Sequence, residues 1–166
     1  GLHTRLSHYL IGVIAPMINT MADARAFAAY SKYPPMGERS WGSYGGLGAS
    51  GLDQNGYLRE ANRFSLSFAM IETREAMAIL DDILALEGID AVFVGPSDLS
   101  IALSGGKAVN ALSAEVDEAI RHIVARASAV GKPVAIYAQS AERAKGFLQM
   151  GAKLVTVMSD TAFLRG

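Results

Sequence analysis

Short, almost uninterrupted apolar runs alternate along the chain with segments in which apolar residues repeat at helical spacing. The runs predict strands over residues 10–16, 66–71, 89–94, 133–137 and 153–158. The repeating segments predict helices from Thr20 to the Pro34-Pro35 pair and over residues 57–64, 73–86, 97–103, 113–130, 140–150 and 159–165. Residues 38–55 are rich in glycine and predict irregular structure.

The order strand, helix, strand, helix predicts parallel strands joined by crossover helices. The strands are apolar along their whole length, which is typical of a sheet that is covered on both faces. An open doubly wound sheet and a barrel both have this pattern, and periodicity alone does not separate them. Five strands cannot close an eight-stranded barrel, which usually takes about 250 residues.

The composition of the chain argues against several classes of function and of site. The 166 residues fit one domain over 1–166. Fifteen basic and sixteen acidic residues argue against a nucleic-acid partner, which would need a basic excess. The absence of cysteine excludes disulfides, a thiolate zinc site and a cysteine nucleophile, and it fits a cytoplasmic protein. No signal peptide and no apolar run of about 20 residues is present, so we expect no membrane partner.

Two carboxylates follow neighbouring predicted strands. Glu72 follows the strand over 66–71, and Asp98 follows the strand over 89–94 after a Gly95-Pro96-Ser97 turn. In either architecture the active site lies at the carboxyl ends of the strands, so these side chains should be neighbours. Two carboxylates alone would repel, and a divalent cation would remove the repulsion. An oxygen-only pair suits Mg²⁺ or Mn²⁺ better than zinc.

Each of these features also has a purely structural interpretation. An acidic residue before a helix or in its first turn is often a cap or a dipole partner, with about even odds for Glu72 and for Asp98 taken singly. The Gly95-Pro96-Ser97 segment leads into a helix N-terminus that could bind an anion, or it is a plain tight turn. The pair on adjacent strands shifts the balance toward a metal.

Other candidate motifs are weaker. The glycines at 46, 48 and 51 match a dinucleotide fingerprint in spacing, but no predicted strand precedes them and no helix follows directly. We therefore expect a flexible loop there. His3, His8 and His122 are the three histidines, and none is predicted at the rim of the sheet.

Two motifs carry a family resemblance: Ile-Glu-Thr-Arg-Glu-Ala-Met at 71–77 and Phe-Val-Gly-Pro-Ser-Asp-Leu-Ser at 93–100. Over residues 11–164 the chain resembles the HpcH/HpaI aldolases, which are class II, pyruvate-dependent enzymes. Three further stretches, at 13–17, 33–39 and 151–157, show the same resemblance. The resemblance implies an α/β (β/α)8 TIM barrel of the phosphoenolpyruvate/pyruvate type, here incomplete, with about strands 4 to 8. It implies cleavage of a 4-hydroxy-2-oxo acid to pyruvate and an aldehyde.

The resemblance also implies roles for individual residues. Glu72 and Asp98 match the family's ligands to a divalent metal, which would be Mg²⁺ or Mn²⁺ with Co²⁺ as a further candidate. The backbone N–H groups of Ser97 and Asp98, next to Pro96, match those that hold the pyruvate carboxylate. The metal would chelate pyruvate and stabilise its enolate as a Lewis acid. Met70 stands where some members carry a substrate-binding glutamine.

Further implications concern assembly and what this chain lacks. Tyr33, Pro34 and Pro35 match a segment that shapes the aldehyde pocket of a neighbouring subunit in a homo-oligomer, a hexamer in the family. The family's histidine base and substrate-binding arginine lie on early strands and have no counterpart here. Two alternatives therefore stay open: a citrate-lyase-like or malyl-CoA-lyase-like enzyme, although no basic cluster for CoA is present, and an inert barrel fragment that acts in assembly.

Overall fold

The computed structural model describes residues 12–42, 44–159, 161 and 164. Its strands are β1 (Gly12–Ala15), β2 (Leu66–Ile71), β3 (Ala91–Val94), β4 (Val134–Ala138) and β5 (Leu154–Val157). Its helices are α1 (Met21–Ser31), α2 (Tyr44–Ser50), α3 (Gln54–Phe64), α4 (Arg74–Ala78), α5 (Leu80–Ala85), α6 (Pro96–Leu103), α7 (Ala114–Ala129) and α8 (Ala141–Met150).

The five strands form one parallel sheet in the order β1-β2-β3-β4-β5. The register aligns Ala15 with Ala69, and it aligns Ile71 with Val94. Each new strand is added beside the previous one, whereas a doubly wound sheet reverses direction at its switch point. The order therefore agrees with a barrel and confirms the expectation of an incomplete one. Within the described residues β1 and β5 are the edges of the sheet.

The main core lies between the sheet and its crossover helices. The apolar residues of α7 repeat at helical spacing, which predicts one inward face. That face is buried, and it comprises Val116, Ile120, Ile123, Val124 and Ala127. It packs in one cluster with β3 and β4, whose apolar runs are buried on both sides. Burying one large aliphatic side chain contributes roughly 1.5–3 kcal/mol, so this layer fixes the strand positions.

Side-chain caps start the crossover helices directly after the strands or loops. Thr20 and Asp23 form a reciprocal capping box at the start of α1. Thr73, Ser113 and Ser140 accept hydrogen bonds from the N–H groups three residues ahead. Each cap satisfies a donor that has no partner within its helix. The caps at Thr73 and Ser140 keep the turns after β2 and β4 short, which brings these strand ends to one rim.

The glycine-rich segment is more regular than the sequence indicated. Residues 44–50 form α2, so the prediction of a flexible loop there was wrong. A Cβ at Gly46 would lie 2.5 Å from the Tyr57 hydroxyl oxygen, which means that glycine is needed for this close approach. The helix predicted from 57 begins earlier, at Gln54, because Asp53 caps it. Tertiary packing here overrides the low helix propensity of glycine.

Two further predictions need correction. The single helix predicted over 73–86 is divided into α4 and α5 at Ile79, where the backbone leaves the helical region. The apolar residues of α1 at 24, 27, 28 and 30 predict one apolar face, but Tyr30 is 68% exposed. The predictions for residues 10 and 11, for His3 and His8, and for most of the helix over 159–165 fall outside the described residues.

A buried ion pair ties the amino ends of β2 and β3 together. Lys32 is 1% exposed, and its Nζ donates to Asp90 Oδ2 at 2.5 Å and to the Ser65 carbonyl at 2.6 Å. The same Asp90 oxygen accepts from the Ser67 N–H at 2.7 Å. This network lies at the opposite end of the strands from the predicted site, so it stabilises the fold without contacting that site.

No helix within the described ranges combines the length and the apolar character that a membrane crossing requires.

Candidate functional site

The two predicted carboxylates converge at the carboxyl ends of β2 and β3. A methyl group built on Gly95 would lie 3.1 Å from Glu72 Oε2 and 3.7 Å from Asp98 Oδ2. Both oxygens are therefore within 3.7 Å of one point above Gly95. Because Gly95 has no side chain, the space between the two carboxylates that a Cβ would partly fill stays open.

Glu72 is held in place from the neighbouring strand. Its side chain is 3% exposed, and Oε1 accepts a hydrogen bond from the Met17 N–H at 2.8 Å. Met17 has a φ of 57°, which a residue other than glycine adopts at a cost of about 1–2 kcal/mol. Beside it, Thr73 Oγ1 donates to Asn19 Oδ1 at 2.6 Å. The loop after β1 thus orients Glu72 and leaves Oε2 turned toward Asp98.

The electrostatics of the pair favour a cation. Burial raises the pKa of Glu72, the Met17 N–H lowers it in part, and the negative charge of Asp98 raises it further. Among the described residues, no lysine, arginine or histidine forms an ion pair with either carboxylate. The charge of a buried carboxylate costs free energy unless it is compensated. The pair is therefore an oxygen-donor site whose charge is not balanced by a nearby side chain.

The N-terminus of α6 lies at the same place. Gly95 is its N-cap, Pro96 is its first residue, and Asp98 is in its first turn. The first N–H groups of an α-helix have no partner within the helix, and proline at the first position has none to offer. The N–H groups of Ser97 and Asp98 are thus donors beside the carboxylate pair, where a helix N-terminus favours an anion.

An open cavity of about 400 Å³ adjoins these groups. Its polar wall is the turn from Gly95 through Pro96 and Ser97 to Asp98. Its apolar wall is formed by Met70, Phe93 and Tyr137, which belong to β2, β3 and β4. The arrangement suits a small ligand with an anionic end at the helix N-terminus and a less polar remainder.

The other predicted positions are less closely associated with this cavity. Tyr33 is 2% exposed and packs on Trp41 of its own chain, with ring centroids 5.7 Å apart. Of the predicted intersubunit segment, only Pro34 and Pro35 are exposed. Gln139, at the end of β4, has both amide atoms buried and without a partner among the described residues. His122 is exposed on α7, as expected.

The sequence reasoning missed three contributors to the site. Phe93 and Tyr137 line the cavity, and the Met17 N–H orients Glu72. Alternation along the strands could have found Phe93, because it lies on the same side of β3 as the Gly95 position two residues later. No sequence pattern indicates a backbone donor in a left-handed conformation at Met17.

The donor set fits a hard divalent cation in part. Oxygen ligands, a site open on one side and an uncompensated charge are what Mg²⁺ or Mn²⁺ requires. Within the part of the chain that the structure describes, no group of three or more histidine, cysteine, aspartate or glutamate side chains could hold a metal. Such a cation would take its remaining ligands from water and substrate, as Mg²⁺ commonly does.

Comparison with known proteins gives the family. A family model described as HpcH/HpaI aldolase/citrate lyase matches residues 4–165. The chain belongs to the HpcH/HpaI aldolase/citrate lyase family. The resemblance drawn from the motifs at 71–77 and 93–100 is thereby confirmed.

Individual proteins with similar sequences support the same family for this HpcH/HpaI chain. It is 43% identical over 159 residues to a hydroxypyruvate/pyruvate aldolase from Rhizorhabdus wittichii, covering 92% of this chain and 60% of that protein. It is 38% identical to a 4-hydroxy-2-oxo-heptane-1,7-dioate aldolase from Salmonella heidelberg, covering 92% of this chain and 57% of that protein. The chain thus spans about 60% of the length of these relatives.

Solved structures of the family show the same fold. The crystal structure of an HpcH/HpaI aldolase from Desulfitobacterium hafniense superposes with a TM-score of 0.82 at 26% identity, covering 93% of this chain and 59% of that one. This likeness, together with the sequential parallel order of the strands, confirms that the fold is part of a barrel.

Proposed function

We propose that the protein containing this chain is a divalent-metal-dependent aldolase that cleaves a 4-hydroxy-2-oxo acid to pyruvate and an aldehyde. The observation that carries the proposal is the convergence of Glu72 Oε2 and Asp98 Oδ2 above Gly95, beside the N-terminus of α6. The names of the relatives, both aldolases, support the reaction class.

The residues of this chain would divide the work as follows. Glu72 and Asp98 would hold Mg²⁺ or Mn²⁺, with Co²⁺ as a further candidate. When bound, the cation supplies Lewis-acid stabilisation of the charge that develops on the keto oxygen as the carbon–carbon bond breaks. The N–H groups of Ser97 and Asp98 would bind the carboxylate of the 2-oxo acid. Met70, Phe93 and Tyr137 would pack against the rest of the substrate and exclude water.

Proton transfer is not assigned to any described residue. Of the three histidines the structure describes only His122, which is exposed on α7 and does not line this cavity. We therefore propose that this chain supplies the metal and carboxylate half of the site, and that the base and an arginine come from other strands of the barrel.

The proposal is tested by measuring pyruvate release from a 4-hydroxy-2-oxo acid with the protein that contains this chain. Activity is expected with Mn²⁺ or Mg²⁺, and chelation by EDTA should abolish it. Turnover of a CoA thioester in preference to the hydroxy-oxo acid would instead favour a citrate-lyase-like enzyme. Among the described residues that line the cavity none is basic, which argues against that alternative. No turnover with either substrate would favour the inert-fragment reading.

Gly95→Ala should weaken metal binding without unfolding the protein. The φ of Gly95 is −101°, which alanine adopts readily, but the new methyl would press on Glu72 Oε2 at 3.1 Å and on Met70 Cε at 3.0 Å. We expect the affinity for Mn²⁺ to fall about 10-fold, which is the size of effect seen when a residue that orients a metal ligand is changed. Isothermal titration calorimetry measures this affinity.

The control for Gly95→Ala is Gly48→Ala. A Cβ at Gly48, within α2, would meet nothing within 4 Å. This variant should bind Mn²⁺ like the wild type. Equal affinities for the two variants would contradict the placement of the metal above Gly95.

We also propose that the protein acts as a homo-oligomer, for which the hexamer stays a prediction. Apolar side chains are exposed along both edge strands, including Val13 at 46% and Leu154 at 48%. Open strand edges and apolar patches favour association unless further strands of the barrel cover them, so this argument applies to the chain by itself. Sedimentation velocity of the chain by itself should show a species larger than one chain, and a monodisperse monomer would contradict this expectation.

A further inference from the structure

Arg74 connects the two elements that carry the carboxylates of the site. It is the first residue of α4 and lies two positions after Glu72. Its guanidinium extends to the far end of α6, where Nε donates to the Ala102 carbonyl at 3.1 Å and Nη2 donates to the Leu103 carbonyl. One side chain therefore spans from the Glu72 turn to the helix that holds Asp98.

The contact is favourable for reasons specific to a helix C-terminus. The last carbonyl groups of a helix lack partners within it, and the helix dipole leaves partial negative charge there. A guanidinium supplies donors in a fixed geometry together with a positive charge. Arg74 Nη2 also lies 3.7 Å from Glu115 Oε1 in the first turn of α7. Arg74 thus joins α4, α6 and α7 at one point.

The geometry of α6 explains why this contact matters to the site. The helix has eight residues and is about 12 Å long, with Asp98 and the free N–H groups at one end and Arg74 at the other. The sheet fixes the near end through Gly95. If the far end moved by about 2 Å, the helix would turn by about 10°, which approaches the 10–20° that a binding site tolerates.

We propose that Arg74 is a positioning residue of this site. By holding the C-terminus of α6, it fixes the direction of Asp98 and of the Ser97 N–H relative to Glu72. The inference rests on the proposed function of the site, because it concerns a metal held by Glu72 and Asp98. Arg74 acts through α6 and contacts neither the metal position nor the cavity.

The test compares Arg74→Gln with Arg126→Gln in the protein that contains this chain. Arg126 also joins two helices through its guanidinium, but it does so through a carboxylate: its Nε and Nη2 donate to Asp81 at 2.8 and 2.6 Å and join α7 to α5. The exposures are similar, 58% for the Arg74 side chain and 49% for Arg126. Arg74→Lys keeps the charge and one donor direction, and should restore part of the effect.

Two measurements are made on each variant. Amide hydrogen exchange in metal-free protein reports how firmly α6 is held, and isothermal titration reports the affinity for Mn²⁺. For Arg74→Gln, we expect exchange within residues 97–104 to become about 10-fold faster. We expect the dissociation constant for Mn²⁺ to rise about 10-fold, as for other outer supports of metal ligands. Arg74→Lys should lie between, and Arg126→Gln should match the wild type in both.

Unchanged exchange in α6 of Arg74→Gln would overturn the inference, and so would an Mn²⁺ affinity equal to that of Arg126→Gln. If Arg74→Gln does not fold, the same comparison between Arg74→Lys and Arg126→Lys decides. If the wild type binds no Mn²⁺, the proposed function is wrong. The amide hydrogen exchange of α6 in Arg74→Gln then still shows whether Arg74 stabilises the C-terminus of this helix.

Discussion

Replacement of Glu72 by glutamine is expected to abolish Mn²⁺ binding, with an affinity loss of more than about 100-fold. The amide has the shape of the carboxylate and can still accept from the Met17 N–H, but it lacks the charge that a hard cation requires. Loss of a ligand should exceed the 10–100-fold effect of disturbing its support. Asp98→Asn should behave alike, because its oxygen faces the same point above Gly95. Isothermal titration of both variants measures the loss.

Stability provides the control for this result. Because burial raises the pKa of Glu72, protonation favours folding, and this contribution is lost as the pH rises through the raised value. Metal-free Glu72→Gln escapes that loss, so it should be at least as stable as the wild type at neutral pH. Glu60→Gln, at a half-exposed position of α3, should leave metal binding unchanged. If Glu72→Gln binds Mn²⁺ with the affinity of the wild type, Glu72 is not a ligand of the metal.

Asp90→Ala is expected to destabilise the fold by about 3 kcal/mol, because it leaves the buried ammonium of Lys32 without its countercharge. This value is at the lower end of the range measured when one partner of a buried ion pair is removed, for two reasons. The Asp90 side chain is 30% exposed, and Lys32 Nζ still donates a hydrogen bond to the Ser65 carbonyl in the variant. The loss of the Ser67 contacts acts in the same direction. Urea unfolding monitored by circular dichroism measures the change.

The matched control is Asp81→Ala, which breaks an exposed pair with Arg126. Such pairs contribute about 0–1 kcal/mol, so the two variants should differ by about 2 kcal/mol or more. Equal destabilisation by Asp90→Ala and Asp81→Ala would show that the Lys32 network is not important for stability.

The positions of the strands along the chain and the position of the carboxylates at strand ends could be predicted because local rules determine both. Apolar runs bounded by caps such as Thr73 and Ser140 mark where each strand ends. In parallel sheets the carboxyl ends share one rim, so Glu72 and Asp98 had to be neighbours. The periodicity of apolar residues does not distinguish a barrel from an open sheet. The two differ in the edge of the growing sheet to which each new strand pairs, and the apolar pattern within a strand does not depend on that edge.

The features that could not be predicted depend on contacts between distant residues. The helix over 44–50 forms because Gly46 packs against Tyr57, which overrides its weak propensity. Burial of Lys32 depends on Asp90, 58 residues away, and lysine is almost never buried unless it is paired. The support of Glu72 by the Met17 N–H requires a left-handed residue that no local signal indicates.

The most direct test of the metal-dependent aldolase is electron paramagnetic resonance of Mn²⁺ added to the protein, with and without pyruvate. We expect the free-ion signal to fall by one equivalent per chain, and we expect pyruvate to change the spectrum of the bound ion because its carboxylate binds beside Ser97 and Asp98. A free-ion signal that the protein leaves undiminished would show that Glu72 and Asp98 do not hold a metal.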